Sequence, residues 1–191
     1  SWNKTLISDY LALKSAENLN LEQQHFKPVI VYLNGEYWGI HLLGERIDDD
    51  FLKVKLSLSE QDSINLLSQG VGYKLHGSNT SFKDLIEFIE ENDLSQTPNY
   101  NYVSTQIDID NFITYHIFEM FFNNIDWPMN NIKLWNAKYR KWRYILFDLD
   151  GGTDSFNFGV DWNMFTTMTE LDGESWPNPP ESNLVFRKLI K

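Results

Sequence analysis

The sequence contains no cysteine, which excludes disulfide bonds and metal sites built from thiolates. Many cytoplasmic proteins and many exported bacterial proteins share this absence, so it leaves the cellular compartment open. There is also no signal peptide and no apolar run long enough to cross a bilayer. We therefore expect no membrane span.

Basic residues are few: 16 Lys and Arg stand against 27 Asp and Glu, a net charge of -11. Nonspecific binding to DNA or RNA depends on clustered Lys and Arg, so we expect no nucleic-acid partner. Aromatic residues, in contrast, make up 15% of the chain. They supply buried area, but they also suit carbohydrate or nucleotide surfaces, so composition does not separate stability from recognition.

A chain of 191 residues is the right size for one domain with a substantial core. It begins with Ser1 rather than Met, and residues 183–191 resemble the opening turns of a helix. The interpretation is a single domain spanning residues 1–191, as a fragment truncated at both ends.

The amino-terminal half predicts a helix, a hairpin and a second, short helix. The apolar spacing favours a helix over about residues 5–18. Asn34-Gly35 separates two β-rich runs and predicts a hairpin, because both residues can take positive φ. Glu45 follows it and faces either a cleft or a surface partner, Arg46 or a lysine. Three aspartates at 48–50 are typical of a helix amino terminus rather than of a calcium site.

The middle of the chain predicts strands near residues 64–67 and 73–76, then a helix over 81–92 capped by Ser81 and Asp84. Residues 95–99 are interpreted as a loop. A buried helix then opens at Asp108 or Asp110 and runs through Phe121. The single His116 inside it is interpreted as a histidine of the core or its edge, with its hydrogen bonds satisfied, rather than as a ligand.

Residues 123–152 carry the chemistry. Pro128 prevents the buried helix from continuing, so Asp126 lies on a loop directly after a rigid element. Asn131 begins a strand over 131–135, and a turn leads to a second strand over 142–147.

Acidic residues follow the second strand of this hairpin. Asp148 opens the exit loop, and Asp150 precedes two glycines that let the backbone approach a ligand closely. If the hairpin forms, its two flanking loops meet, and Asp126 and Asn131 face Asp148 and Asp150.

This order of residues fits phosphoryl transfer, which needs a carboxylate to orient the attacking hydroxyl and hard oxygen ligands to hold magnesium. Protein kinases place a catalytic Asp five residues before a metal-binding Asn, followed by two strands and a second Asp. Asp126 and Asn131 reproduce that interval, and Asp148 or Asp150 supplies the second acid. The D-F-G triplet and the His-Arg before the catalytic Asp are absent.

Three blocks resemble the CotH kinases, atypical protein kinases named for a bacterial spore coat protein. They are VYLNGEYWGIHLLGERID at residues 31–48, N-x-D-x-x-x-x-N at 124–131 and FDLDGG at 147–152; Asp9 in the first helix adds to the likeness. The resemblance implies an α+β, protein kinase-like fold with β-hairpins and a mainly helical lower part. It also implies ATP with Mg²⁺ or Mn²⁺, a protein substrate phosphorylated on Ser or Thr, and an exported or cell-surface bacterial location.

By position, the resemblance makes Asp126 the catalytic acid, and Asn131, Asp148 and Asp150 the metal ligands. Because the metal would lie on the phosphates, Asn131 and Asp148 would also bind the nucleotide. Glu45 would do so through an ion pair with the lysine that touches the α- and β-phosphates. No strand with that lysine and no glycine-rich phosphate loop can be identified, so we expect that segment before residue 1. Whether the fragment is active alone is left open.

Two other functions stay open. A noncatalytic surface module could use Trp162, Phe165 and Trp176, in a long irregular segment, to bind glycans or a partner protein. Alternatively, D-x-D at residues 148–150 suits a glycosyltransferase that holds a sugar nucleotide through manganese.

Overall fold

The computed structural model describes residues 8–69, 73–152, 162–171 and 182–190, and within them it is a mixed structure of helices and sheets, consistent with an α+β fold. The helices are α1 (Ser8–Ser15), α2 (Asp49–Leu56), α3 (Thr80–Glu91), α4 (Thr97–Gln106), α5 (Ile109–Phe121), α6 (Met164–Thr169) and α7 (Leu184–Leu189), with a 3₁₀ turn at Glu60–Asp62. The strands are β1 (Glu22–Gln23), β2 (Phe26–Leu33), β3 (Glu36–Gly44), β4 (Asn65–Ser68), β5 (Tyr73–His76), β6 (Lys133–Asn136) and β7 (Arg143–Leu146). None of the described helices is long and apolar enough to cross a membrane.

The main sheet has five strands in the order β1-β7-β6-β4-β5. β1 pairs with β7 in parallel, and the other neighbours are antiparallel. The predicted hairpin of residues 131–147 is confirmed, with Lys133 opposite Ile145 and Leu134 opposite Tyr144. Both of its strands are shorter than predicted, because the outermost residues belong to the flanking loops.

Both faces of this sheet are covered, as the two-residue period of a strand allows. Leu134 and Tyr144 point to the larger core, which they share with the helices α1, α3, α4, α5, α6 and α7. Trp135 and Ile145 point to the opposite face and pack with α2. The sheet is therefore the middle layer between α2 and the other helices.

Asn111 fixes α5 to β7. Its side chain is fully buried; Nδ2 donates to the Tyr144 carbonyl at 3.2 Å and Oδ1 accepts from the Tyr144 amide at 2.7 Å. Arg143, the neighbour of Tyr144, binds Asp108 at the amino terminus of α5 and Glu22 of β1. Because α5 and β7 lead into the two predicted site loops, this attachment sets the relative position of those loops.

The second sheet is the β2–β3 hairpin, and the Asn34-Gly35 turn is confirmed, with φ of 51° and 87° at its two residues. It packs little of its surface against the rest of the chain: Ile30, opposite Ile40, is 62% exposed.

Most of the predicted elements are confirmed. Asp48 caps α2 by accepting from the Phe51 amide at 3.0 Å, as predicted for the three aspartates. Asp108 caps α5, and α7 occupies the predicted helical end. His116 is buried with Nδ1 2.8 Å from the Phe112 carbonyl oxygen, which confirms a hydrogen-bonded core histidine.

Three predictions about local structure are wrong. Ser81 does not cap α3, which begins at Thr80 with Asn79 in the cap position and no side-chain capping bond. α4 begins at Thr97, inside the predicted loop, because Pro98 is tolerated in a first helical turn. α6 lies in the segment predicted to be irregular, where Asn163 accepts from the Thr166 amide.

The attachment of α5 to β7 can be tested by removing its side chain. We expect Asn111→Ala to lower the free energy of unfolding by roughly 2–3 kcal/mol, because the buried amide and carbonyl of Tyr144 lose their partners. Urea unfolding measures this change. The control is Asn101→Ala at an exposed position of α4, and an equal, small effect of both variants would contradict the assignment.

Candidate active site

Two loops meet at one end of the β6–β7 hairpin. The first, residues 122–132, follows α5, and the second, residues 147–152, follows β7. The carbonyl oxygen of Asp148 accepts from Asn124 Nδ2 at 3.3 Å and from Asn131 Nδ2 at 3.4 Å. The structure thus brings Asn131 and Asp148 together, and it adds Asn124 to them.

Asp126 is held by two amides. Its Oδ1 accepts from Asn130 Nδ2 at 2.9 Å and its Oδ2 from Asn131 Nδ2 at 3.3 Å. A carboxylate has about four acceptor positions, so two bonds leave capacity on each oxygen for a further ligand. The partly buried Asp126 is therefore a fixed carboxylate that can still accept a hydrogen bond.

The backbone of both loops takes the left-handed conformation at three positions: Asn123 with φ 52°, Asn131 with φ 57° and Asp148 with φ 57°. Asn and Asp adopt this conformation more readily than other residues with a side chain. The backbone conformation alone therefore favours Asn or Asp at these positions, whether or not their side chains also bind a ligand.

Negative charge is concentrated around Asp148. Burial, and after it the charges of Asp150, Asp9 and Asp126, together raise the pKa of Asp148 to about 6. Asp9 of α1 reaches this loop because its Oδ1 accepts from the Leu149 amide at 2.8 Å. Burial also raises the pKa of Asp9. Repulsion between these groups would be relieved by a bound cation.

The oxygen donors fit a divalent metal shared with a ligand. Among the described residues, no three His, Asp or Glu side chains are grouped so that they could hold a metal alone. Mg²⁺, however, is commonly held by one or two carboxylates together with phosphate oxygens and water. Asp148, Asp150 and the Asn131 amide oxygen are donors of this kind. Beside them, Oδ1 of Asn123 and Oδ1 of Asn124 are buried without a hydrogen-bond partner.

The two glycines of the exit loop pack against the first loop. A Cβ on Gly151 would lie 2.6 Å from Asn124 Oδ1 and 3.1 Å from Asp126 Cβ, and one on Gly152 would lie 2.8 Å from the Phe122 carbonyl oxygen. The exit-loop backbone does make a close approach at these glycines, as predicted. In the described residues, however, it approaches the first loop rather than a ligand.

A buried polar network supports the first loop from α5. Glu119 is 0% exposed and its Oε2 accepts from Asn124 Nδ2 at 2.9 Å. The Tyr115 hydroxyl accepts from Trp127 Nε1 at 3.0 Å and donates to the Asn131 carbonyl at 3.4 Å. Burial raises the pKa of Glu119 to about 8. Sequence reasoning missed this network, although Glu119, an acid within the apolar second half of this helix, was a usable signal.

Lys133 also lies at the site and was not predicted. It stands two residues after Asn131, and its Nζ is 4.4 Å from the centre of the Phe147 ring. Burial lowers the pKa of Lys133, while the charges of Asp148 and Asp48 oppose that change.

Glu45 lies at the base of the β2–β3 hairpin and is exposed. Its Oε2 accepts from the His25 amide at 3.0 Å and is 3.4 Å from His25 Nδ1. Glu45 therefore has a surface partner, as one of the two alternatives held, but in the described part of the chain that partner is His25 and neither Arg46 nor a lysine. Its pairing with a phosphate-binding lysine stays a prediction.

The buried acid gives a prediction about pH. Because the folded-state pKa of Glu119 is raised above the unfolded value, its contribution to stability is greatest below about pH 4.5 and falls as pH rises toward 8. We expect Glu119→Gln to reduce the stability loss between pH 5 and 8, by at most about 1.4 kcal/mol per pH unit.

Urea unfolding at several pH values measures that slope. Glu87→Gln on the exposed face of α3 is the control and should leave the slope unchanged. Parallel pH profiles of the parent and Glu119→Gln would show that Glu119 is ionised when folded.

No curated protein matches the chain. The family model described as CotH kinase protein matches residues 2–191, which include the hairpin, both site loops and α5. Since this match covers essentially the whole sequence, the chain belongs to the CotH kinase family.

Proposed function

We propose that this chain is a metal-dependent atypical protein kinase with a protein kinase-like fold, which transfers the γ-phosphate of ATP to Ser or Thr of a secreted or surface protein. Membership of the CotH kinase family supports kinase activity in general. The observation that carries the finer proposal is the meeting of the two loops at the Asp148 carbonyl, with Asp126 fixed beside it.

Asp126 is the group that orients the acceptor. Hydrogen bonds from Asn130 and Asn131 restrict rotation of its carboxylate, and the remaining lone pairs accept the Ser or Thr hydroxyl. As the hydroxyl oxygen bonds to the γ-phosphorus and the bond to the β-phosphate oxygen breaks, the hydroxyl proton passes to Asp126. In phosphoryl transfer such positioning provides much of the catalysis.

The metal-binding role falls to Asn131, Asp148 and Asp150, and the ion would be Mg²⁺ or Mn²⁺. When bound, such an ion neutralises charge on the phosphate oxygens. The amides of Asn124 and Asn131 fix the Asp148 backbone, which sets the point from which its carboxylate extends. Glu45 is assigned to the nucleotide side on the family resemblance alone.

A direct test replaces the orienting carboxylate. With Mg²⁺ or Mn²⁺, γ-labelled ATP and an acceptor protein such as dephosphorylated casein, we expect Asp126→Asn to lower phosphate transfer about 100-fold or more. The melting temperature and the affinity for Mg·ATP should stay close to those of the parent, because the amide keeps the size of the side chain.

Asp110→Asn, at an exposed position in the first turn of α5, is the matched control and should transfer phosphate normally. Transfer by Asp126→Asn at the parental rate would rule out this mechanism. A parent chain that is stabilised by a UDP-sugar and not by ATP would instead favour the glycosyltransferase.

A second candidate is the noncatalytic surface module, and exposed aromatic side chains favour it. Trp162 is 39% and Phe165 54% exposed, on and next to α6. Trp176 lies outside the described residues. Binding of a polysaccharide that is lost in Trp162→Ala, with no stabilisation by ATP, would select this function over the kinase.

A further inference from the structure

Lys133 occupies a defined position beside the acidic loop. It lies opposite Ile145 in the β6–β7 ladder, and its ammonium reaches diagonally to the ring of Phe147, the residue before Asp148. Its strand begins two residues after Asn131. The cation is therefore supported on a rigid hairpin between the two loops that hold the proposed metal ligands.

The ammonium of Lys133 is available for a ligand. Within the described ranges, it makes no hydrogen bond and no ion pair, and it lies over the face of the Phe147 ring, 4.4 Å from the ring centre. The two lysines of α2, in contrast, have partners: Lys53 pairs with Asp49, and Lys55 donates to the Gln23 carbonyl. The free energy of burying an ammonium group is unfavourable unless an anion pairs with it.

The surrounding charges show what kind of anion fits. The charges of Asp148 and Asp48 act on Lys133 and raise its pKa, while burial and the charge of Arg46 lower it. The site also contains Asp126, Asp150 and Asp9, so an incoming polyphosphate meets strong repulsion. Lys133, together with a metal ion held by Asp148 and Asp150, would offset that repulsion.

We propose that Lys133 contacts the phosphates of the nucleotide, so that a phosphate-binding lysine lies within this chain, on the hairpin that joins the two site loops. This assignment rests on the proposed kinase function. It replaces the expectation that the lysine must lie before residue 1.

The test compares two lysines of one hairpin. Lys133→Met keeps an unbranched apolar stem over Phe147 and removes the charge, whereas Lys138→Met does the same to an exposed lysine that lies 5.2 Å from the Tyr139 ring. Calorimetry with Mg·ATP and with inorganic tripolyphosphate in Mg²⁺ should show affinities reduced roughly tenfold or more for Lys133→Met. Adenosine affinity should not change, and Lys138→Met should bind every ligand like the parent.

A second measurement needs no variant. Mg·ATP should protect Lys133, and not Lys138, from acylation of its amine by a small reagent, as read by mass spectrometry of the parent chain. Lys133→Arg should retain most of the affinity, since it keeps the positive charge.

The outcomes separate the two proposals. If the parent binds Mg·ATP and Lys133→Met binds it within twofold as well, or if acylation of Lys133 is unaffected by ATP, the assignment of Lys133 is wrong and the kinase proposal stands. If the parent binds neither Mg·ATP nor tripolyphosphate, both proposals fail together.

Discussion

One carbonyl oxygen, that of Asp148, joins the two loops on which the site depends. It accepts from Asn124 and Asn131, which belong to the loop after α5, while Asp148 itself belongs to the loop after β7. The junction is possible because Asn111 fixes α5 to the backbone of β7 some distance away. Packing therefore sets the approach of the loops, and the two amides set their final register.

The same junction creates an electrostatic difficulty. It gathers Asp126, Asp148 and Asp150 at one end of a hairpin and adds Asp9 from the first helix. Such a cluster is unfavourable when ionised without a counterion, and it adds to the effect of burial in raising the pKa of Asp148. Clustered acids with a raised pKa are more typical of a functional site that binds a cation than of residues that only stabilise a fold.

Much of the site could be predicted because a hairpin brings its own two ends together. Asp126, Asn131 and Asp148 are near each other in sequence and are separated by one predicted turn, so no long-range pairing had to be known. The contacts of Asp9 and His25, in contrast, depend on long-range packing that could not be predicted from the sequence. Asp9 acts on Leu149 from across the chain, and His25 meets Glu45 only through the pairing of β2 with β3.

Helices without an apolar stripe could not be predicted. α4 reads TPNYNYVSTQ, in which Val103 is the buried residue, and α6 is a short helix whose buried face is Met164, Thr167 and Met168. Their helical form depends on contacts with α3, α5 and α7 rather than on local periodicity. For the same reason the position of Lys133 at the site was missed: its environment comes from Phe147 and Asp48, which the sequence of its own strand does not show.

The amides and acids of the site differ in how far the fold alone explains their residue types. Asn131 and Asp148 occupy left-handed backbone, so their residue types have a structural explanation even without a ligand. Asp126 has no such explanation, since its backbone is not among those with positive φ and its side chain caps no helix. It instead orders two neighbouring amides around a carboxylate with spare acceptor capacity. The chemical interpretation of the site therefore depends most on Asp126, and the surrounding residues are best understood as what holds it in place.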